Sequence, residues 1–366
     1  MNDLANIPAW LEGLPRWQPL ERLQGKESAD VCVVGLGGSG LAAVTRLLEL
    51  GRTVVGVDAG PVAAAAAGRN GGLLLAGTAA FHHDAERVLG ADEALRWFAD
   101  TQAEIDRMLL ETPGLARRSG SLRIAADAAE LDDCRAQFEA MRSAGLPVKE
   151  YSGPEGEGLL FPQDACFNPP ARHRELALRA IAAGARLYEN SRVTALSGKR
   201  VETEAGSIDC AAVIVAVDGN LALLLPELAG DVKPLRLQML ATEPDPVNIP
   251  RPVYYRHGFE YWQQLADGRV LLGGFRDRGG PGEWGAEPVP GEAVQQQLER
   301  FLRDHLGVRS RISHRWAATV GYRDQLLPVF AEVRDSVWAV GGYNGTGNVV
   351  GSLLARRAAE RVTAAG

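Results

Sequence analysis

The feature that most constrains this chain is an apolar run, a glycine-rich turn, a helical stretch and a second apolar run, all within residues 31–58. The first run, 31–34, leads into Gly35-Leu36-Gly37-Gly38-Ser39-Gly40, after which apolar residues recur at helical spacing. The second run, 53–57, is closed by Asp58. The pattern predicts a parallel β-α-β crossover, a building block of open α/β sheets.

The glycines of this turn match the G-x-G-x-x-G spacing. The first permits a tight turn, the second lets a pyrophosphate approach the backbone, and the third lets helix and strand pack closely. The helix N-terminus offers N–H groups to phosphate, Asp58 can accept hydrogen bonds from a ribose hydroxyl, and Ala59 stands where an arginine would favour NADP. We therefore predict a dinucleotide site, with a purely structural turn as the alternative. Its residues are Gly35, Gly37, Gly38, Ser39, Gly40, Asp58 and Ala59.

Two further glycine clusters lie later in the chain. The cluster 68–72 contains an arginine among glycines and asparagine, a composition that suits phosphate or a flat ring, although an ordinary loop is the alternative. The cluster 341–348 joins a predicted strand to the last helix, whose N-terminus can stabilise negative charge on a reduced flavin. A simple NAD-binding module makes mostly local contacts, so a return to the cofactor so late in the chain favours a flavoprotein.

The three clusters in this order, with Ala-Val-Ile-Val-Ala-Val-Asp-Gly at 212–219 between them, resemble the D-amino acid oxidase family of FAD-dependent oxidoreductases. The similarity is greatest to its gamma-glutamylputrescine oxidase and glycine oxidase branch. It implies an α/β fold with a glutathione-reductase-like Rossmann FAD-binding domain and a substrate domain built on a mostly antiparallel sheet. It also implies that Asp58 binds the adenosine ribose and that the backbone of Val193 meets adenine. The residues implied to lie beside the flavin ring and ribityl chain are Arg69, Asn70, Gly71, Gly72, Leu73, Gly342, Tyr343, Gly345, Thr346, Gly347 and Asn348.

The pattern along the chain predicts two discontinuous domains. Helical periodicity prevails from 84 to 134, with a break at Pro113-Gly114. Short alternating strands follow 233, including a hairpin at Asp267-Gly268. We predict an FAD-binding domain from 1–83, 164–228 and 314–366. We predict a substrate domain from 84–163 and 229–313.

One departure from the family bears on the substrate. Glycine oxidase-like members carry an arginine that clamps the substrate carboxylate, and the ungapped alignment places Val320 there. A valine cannot make that bidentate contact, so we expect either an amine substrate or a different arginine. Arg256 and Arg276 are the candidates, each with a surface or ion-paired role as the alternative.

Aromatic and basic residues near Arg256 are further candidates. Tyr255, His257, Tyr261 and Trp262 are predicted to form an aromatic wall or hold an amine nitrogen, unless they are only packed hairpin residues. His257 is the candidate base for a substrate ammonium group, with a structural role as its alternative. The predicted catalytic set is Arg256, Tyr255, His257 and Arg276.

The resemblance implies oxidation of a C–N bond of a small amine or amino acid by hydride transfer to flavin N5, giving an imine that hydrolyses. Oxygen, or another acceptor such as a quinone or a protein, would take the electrons. Two readings from other classes stay open: an NAD-dependent dehydrogenase and a non-catalytic flavin-binding protein. No cysteine lies near the C-terminal flavin segments and no histidine matches an attachment site, so we expect FAD to be non-covalent.

Composition excludes several classes of partner. The net charge of -7, with no Lys/Arg run of five, argues against nucleic acid. No apolar run approaches the roughly 20 residues of a membrane span. The four cysteines form no C-x-x-C pair, and the N-terminus lacks a signal-peptide pattern, so a cytoplasmic location is predicted. His82-His83-Asp84 lacks further ligands at suitable spacing, so we predict no metal.

Overall fold

The computed structural model describes residues 6–197 and 199–364 of the chain. They form two compact units, each assembled from three stretches. Unit A comprises Gly13–Gly68, Pro169–Leu235 and 319–364. Unit B comprises 6–12, Arg69–Asn168 and Arg236–Ala318.

The helices and strands are numbered in chain order. The helices are α1 (Gly38–Glu49), α2 (Ala66–Arg69), α3 (His82–Leu89), α4 (Ala91–Glu111), α5 (Ala128–Ser143), α6 (Pro169–Ala182), α7 (Leu221–Leu224), α8 (Glu292–Asp304) and α9 (Val350–Ala364). The strands are β1 (Gly25–Val34), β2 (Val54–Val57), β3 (Leu73–Leu74), β4 (Ala116–Arg118), β5 (Ser121–Ile124), β6 (Lys149–Gly153), β7 (Gly156–Phe161), β8 (Ala165–Phe167), β9 (Arg186–Tyr188), β10 (Val193–Ser197), β11 (Arg200–Thr203), β12 (Gly206–Val215), β13 (Lys233–Pro244), β14 (Val253–Tyr255), β15 (Glu260–Gln264), β16 (Arg269–Gly274), β17 (Ile312–Tyr322), β18 (Val329–Arg334) and β19 (Val337–Gly341).

Unit A is built on the predicted crossover. Its sheet runs β10-β11-β12-β1-β2-β9, and β19 pairs with β12 and with β18. The β1, β2, β9, β12 and β19 ladders are parallel. The last four residues of β1 and all of β2 are buried, as parallel strands covered on both faces require. The helices α1 and α9 pack against each other. The predicted α/β fold is confirmed.

Unit B contains a long sheet in the order β17-β13-β16-β15-β14-β5-β7-β6 and a small one, β3-β8-β4. In the long sheet β15 pairs antiparallel with both neighbours, whereas β14 pairs with β5 in parallel. One face of this sheet buries Leu122, Val253 and Trp262 with Leu298 and Leu302 of α8. The hairpin predicted at Asp267-Gly268 joins β15 to β16, as expected.

The units divide the chain differently from the predicted domains. Residues 6–12 and 69–83, expected in the FAD-binding domain, belong to unit B. The reason is packing: Trp10 is buried with Met239 and Trp316, which lie on β13 and β17. The helical stretch expected from 84 to 134, with a break at Pro113-Gly114, also contains β4 and β5 after that break.

Candidate active site

The glycine-rich turn of unit A has no room for side chains. Gly35 has φ of +101°, and a Cβ there would lie 2.5 Å from the carbonyl oxygen of Ala216. A Cβ on Gly40 would lie 1.7 Å from the carbonyl oxygen of Gly35. Gly37 is the extended N-cap residue of α1 and provides no side-chain cap, so the first-turn N–H groups keep their capacity to bind an anion. This is the bare backbone cradle that a pyrophosphate needs.

A histidine that the sequence reasoning missed lies beside this cradle. His173 of α6 is buried, and a Cβ on Gly38 would lie 2.8 Å from its Nε2. Burial, together with the charge of Arg172, lowers the pKa of His173 to about 3. The imidazole is therefore neutral at physiological pH and adds no positive charge to the cradle. The positive partial charge at the N-terminus of α1 is then what attracts a phosphate. No sequence signal marks His173, since it stands alone in an ordinary helix.

Asp58 connects the end of β2 to the glycine turn. Its Oδ2 accepts a 2.7 Å hydrogen bond from the Leu36 N–H, and its Oδ1 accepts a 2.9 Å bond from the Gly60 N–H. Burial raises the pKa of this carboxyl. A carboxylate has about four acceptor positions, so Asp58 keeps acceptor capacity for the ribose hydroxyls expected here.

The structure also places Val193 near Asp58. The N–H of Ser191 donates a 2.7 Å hydrogen bond to the carbonyl oxygen of Asp58, which holds the start of β10 beside the end of β2. Val193 is the first residue of β10 and is buried. Its implied contact with adenine stays a prediction, and its position in unit A is compatible with one.

An unexpected carboxylate organises the C-terminal loop of unit A. Asp218, at φ +46°, accepts 2.9 Å hydrogen bonds from the N–H groups of Gly321 and Gly342. Burial raises the pKa of Asp218 to about 6. A Cβ on Gly219 would lie 2.9 Å from the carbonyl carbon of Val320, so these backbones are in close contact. From the sequence, Asp218 is only one residue of the segment 212–219 that resembles the family, and no role is predicted for it.

The loop that follows Gly342 is fixed by its own side chains. The Thr346 hydroxyl donates a 2.7 Å hydrogen bond to the Tyr343 carbonyl oxygen, and Asn344 Oδ1 accepts a 2.8 Å bond from the Arg323 N–H. The buried Tyr343 ring would lie 2.8 Å from a Cβ on Gly347. The loop therefore presents a preformed backbone ahead of α9.

In unit B, three successive carbonyl groups of the segment 69–72 are held by buried side chains. Trp316 Nε1 donates to the carbonyl oxygen of Arg69 at 2.8 Å, Trp10 Nε1 to that of Asn70 at 2.8 Å, and Gln263 Nε2 to that of Gly71. In a trans peptide the N–H points away from the preceding carbonyl, so the Gly71 N–H points away from Trp10. The three donors, which we call the carbonyl clamp, fix the orientation of this segment.

The Arg69 side chain donates hydrogen bonds to other protein groups. Its Nη1 donates to Asn6 Oδ1 at 2.8 Å and to the Ala317 carbonyl oxygen at 3.0 Å. Burial lowers the pKa of this guanidinium. These bonds connect Arg69 to Asn6 and to Ala317 of β17. The sequence instead predicts contact of Arg69 with phosphate or a flat ring.

The predicted aromatic wall is divided between the two faces of the long sheet. Tyr255 and Trp262 lie on the α8 face, in ring contact with Phe301 and His305. Tyr261 lies on the opposite face, where its ring stacks on Tyr254 with centroids 5.9 Å apart. Tyr254, which is not among the residues singled out from the sequence, lies on the same face as Tyr261, because strand residues alternate between faces.

The Tyr261 ring also lies against the segment that the carbonyl clamp holds. A Cβ on Gly71 would come 2.9 Å from this ring, and one on Gly273 would come 2.5 Å from it. Glycine at both positions lets the tyrosine lie flat over the backbone. The predicted flavin segment and an aromatic pair thus share one face of unit B.

The two predicted substrate arginines have different surroundings. Arg256 donates to both Glu260 oxygens, at 2.8 and 2.5 Å, and to both Asp277 oxygens, at 2.7 and 2.9 Å. Its charge is thus already neutralised, which favours a structural role. Arg276 stacks over the ring of Phe259, 4.1 Å from its centroid.

Arg256 and His257 both adopt left-handed conformations, at φ +50° and +53°. They follow β14 in a turn, and the His257 N–H donates a 2.5 Å hydrogen bond to Glu130. The catalytic roles given to Tyr255, Arg256, His257 and Arg276 stay predictions, and these contacts weaken the cases of Tyr255 and Arg256.

The described residues contain neither a metal-binding cluster nor a membrane-spanning helix. Among residues 6–197 and 199–364, no group of three or more His, Cys, Asp or Glu side chains is arranged to hold a metal ion. Over the same ranges, every helix falls short of the length and apolar character that crossing a bilayer demands.

Comparison with known proteins places the chain among flavin enzymes. A family model described as "DAO: FAD dependent oxidoreductase" matches residues 30–361. The probable oxidoreductase OrdL of Rhizobium meliloti (strain 1021) is 28% identical over 392 residues, covering 97% of this chain and 89% of that protein. The gamma-glutamylputrescine oxidoreductase of Escherichia coli (strain K12) is 26% identical over 376 residues, covering 94% of this chain and 86% of that protein.

Solved structures share the fold. Glycine oxidase from Geobacillus kaustophilus superposes with a TM-score of 0.76 at 19% identity, covering 92% of this chain and 95% of that one. L-proline dehydrogenase from P. horikoshii superposes with a TM-score of 0.75 at 16% identity, covering 94% of this chain and 95% of that one.

Proposed function

Because the chain belongs to the family of FAD-dependent oxidoreductases, we propose that it oxidises a carbon–nitrogen bond of a small amine or amino acid. The observation that carries this proposal is the stacked pair Tyr254 and Tyr261 on the sheet face that also meets Gly71. Aromatic faces bind the alkyl and ammonium parts of such substrates. Among the relatives, the gamma-glutamylputrescine oxidoreductase and glycine oxidase are named for substrates of this kind.

FAD is the cofactor, and the residues of unit A fit its dinucleotide half. The cradle at Gly35, Gly37 and Gly40 accepts the pyrophosphate, and Asp58 accepts the ribose hydroxyls. We assign adenine to the backbone at Val193. In unit B we assign the flavin ring to the segment 69–73, because the carbonyl clamp leaves the Gly71 N–H directed away from Trp10.

The chemistry that FAD supplies when bound is hydride acceptance at N5 from the carbon next to the substrate nitrogen, and the imine product then hydrolyses in water. The protein residues orient and desolvate the substrate. Tyr254 and Tyr261 provide the contact surface, and the loop at 342–348 provides preformed N–H groups at the start of α9. The flavin supports this reaction without an obligatory protein acid or base.

The position of Val320 favours an amine over a simple α-amino acid. Its apolar side chain cannot bind a carboxylate. The proposal has two further parts. Oxygen or another electron acceptor reoxidises the enzyme, and FAD is bound non-covalently. Acid or heat should therefore release free flavin, whereas colour that stays on the denatured protein would contradict non-covalent attachment.

The experiment that tests the function is anaerobic reduction. Purified protein should absorb near 370 and 450 nm, as flavins do, and polyamines or N-alkyl amines should bleach the 450 nm band. A colourless protein would favour the NAD-dependent alternative. Flavin that no amine or amino acid of a broad panel bleaches would favour a binding protein. Comparing reoxidation by oxygen with reoxidation by a quinone distinguishes an oxidase from a dehydrogenase.

A further inference from the structure

Arg123 lies on the same sheet face as the aromatic pair. It stands on β5 opposite Tyr254 of β14, which in turn stands opposite Tyr261 of β15. Side chains at one register position of neighbouring strands project to the same face. All three are partly exposed, whereas Leu122 and Trp262 on the other face are buried. The guanidinium and the two rings therefore form one row across three strands.

The Arg123 guanidinium has only neutral contacts. Its Nη1 donates to Gln137 Oε1 at 3.2 Å, and its central carbon lies 4.3 Å from the centroid of the Phe81 ring. No carboxylate in the part of the chain that the structure describes forms an ion pair with it. A partly buried cation without a counter-ion is costly, and burial accordingly lowers the pKa of Arg123.

The two carboxyl groups whose charges act on Arg123 already accept hydrogen bonds from other groups. The Glu130 carboxylate accepts hydrogen bonds from the Ala126 N–H at 2.8 Å and the His257 N–H at 2.5 Å. Asp164 accepts bonds from the Ser121 hydroxyl at 2.6 Å and the Ala76 N–H at 3.2 Å. Both act on Arg123 only at longer range. Arg256, by contrast, is saturated by two carboxylates, so Arg123 is the arginine of the two with unused binding capacity.

The strand spacing limits what an anion at Arg123 can belong to. Two strand intervals separate the backbones of Arg123 and Tyr261, or about 10 Å. Tyr261 lies against Gly71, where the proposed function places the flavin. In an α-amino acid the carboxylate is bonded directly to the carbon that is oxidised. We therefore expect a molecule longer than an α-amino acid to meet both places.

We propose that Arg123 binds the carboxylate of the substrate, and that this carboxylate is separated by several bonds from the carbon that is oxidised. This inference rests on the proposed function and deepens it. Tyr254 and Tyr261 would line the path of the intervening chain.

Calorimetric titration of the FAD-loaded, full-length protein tests the binding step without turnover. The probes are pentanoate and its neutral analogue pentanamide. R123M should raise the Kd of pentanoate roughly tenfold to a hundredfold, as expected for loss of a charge-assisted contact. It should leave the Kd of pentanamide within twofold. R123K should have a smaller effect, since a point charge keeps the attraction but not the bidentate geometry.

R117M is the matched control, because Arg117 is an exposed arginine of unit B on β4. It should leave both dissociation constants unchanged. Equal pentanoate binding by R123M and wild type would overturn the inference. So would a parallel loss of pentanoate and pentanamide binding, since that is the result of a purely structural role on Phe81 and Gln137. If R123M loses FAD, R123K provides the same comparison.

Reduction kinetics separate this inference from the proposed function. Wild type should be reduced faster by 5-aminopentanoate than by pentylamine or alanine, and R123M should abolish the advantage over pentylamine. If R123M is reduced like wild type by 5-aminopentanoate, the inference fails and the proposed function stands. If no amine reduces the flavin while pentanoate binding still depends on Arg123, the proposed function fails and the anion site stands.

Discussion

The indole Nε1 of Trp10 donates a 2.8 Å hydrogen bond to the carbonyl oxygen of Asn70, sixty positions further along the chain. Trp10 is almost fully buried, and its ring would lie 2.8 Å from a Cβ on Gly72. The first described residues of the chain therefore help to shape the segment that we assign to the flavin.

Replacing Trp10 by Phe tests that relationship. The ring volume is largely kept, but the Asn70 carbonyl loses its donor inside the protein, which should cost about 1–3 kcal/mol in the free energy of unfolding. The weaker carbonyl clamp should also raise the Kd of FAD. Chemical denaturation and flavin titration measure the two effects. W284F is the control, since Trp284 is exposed. A W10F protein that matches W284F in both measurements would contradict this role.

Asp218→Asn should destabilise the C-terminal loop of unit A. The carboxylate uses one oxygen for the Gly342 N–H and the other for the Gly321 N–H. An amide has a single acceptor oxygen, so one buried N–H would face an NH₂ group. We expect a loss of about 1–3 kcal/mol in the free energy of unfolding and weaker FAD retention, measured by denaturation and dialysis.

Asp164→Asn is the matched comparison. The Asp164 carboxyl accepts one hydrogen bond from a backbone N–H and one from a hydroxyl, whereas Asp218 accepts from two backbone N–H groups. The Ala76 N–H needs an acceptor, which Asn Oδ1 supplies, while the Ser121 hydroxyl can rotate and accept from the new NH₂ group. D164N should therefore be as stable as wild type, or more stable, at pH 8. Destabilisation equal to that of D218N would show that charge, and not acceptor number, sets these effects.

The same carboxyls predict how stability depends on pH. Burial raises the pKa of Asp164 to about 7 and that of Asp218 to about 6, above the ordinary value of 3.8. Between the ordinary and the raised values the folded protein binds more protons than the unfolded chain, so this contribution to stability falls as pH rises from about 4 to 7. The free energy of unfolding of D164N should fall less over that interval than the wild-type value. Identical slopes would refute the assignment to Asp164.

Gly40→Ala should abolish FAD binding. The new Cβ would lie 1.7 Å from the Gly35 carbonyl oxygen, which is backbone and cannot yield without displacing α1 from β1. We expect colourless protein after purification and a lower melting temperature. G285A should behave as wild type, because a Cβ there meets nothing within 4 Å. Yellow, stable G40A would mean that the turn is not a cofactor cradle.

Local patterns sufficed for much of unit A. The apolar runs, the glycine spacing and Asp58 all lie within 31–58, and α1 and β2 form close to where the sequence predicts them. The hairpin between β15 and β16 was predictable for the same reason, since Asp267-Gly268 specifies a turn locally.

The substrate side was harder because its determinants are long-range. A strand pattern shows that Tyr254 and Tyr255 face opposite ways, but not which of the two faces α8 covers. The role of Arg256 depends on Asp277, and the importance of Arg123 depends on its forming no ion pair with a carboxylate of residues 6–197 and 199–364. Neither is visible in a window of neighbouring residues.

The chain passes between unit A and unit B five times before it ends in unit A. The last stretch, 319–364, provides β19 beside β12 and α9 beside α1. A growing chain on the ribosome therefore cannot complete unit A until the stretch 319–364 has emerged, because α9 of that stretch packs against α1. A chain that terminates before this stretch would contain the nucleotide cradle but lack β19 and α9. We expect such truncated chains to aggregate or be degraded, and not to accumulate as partly folded proteins that bind FAD.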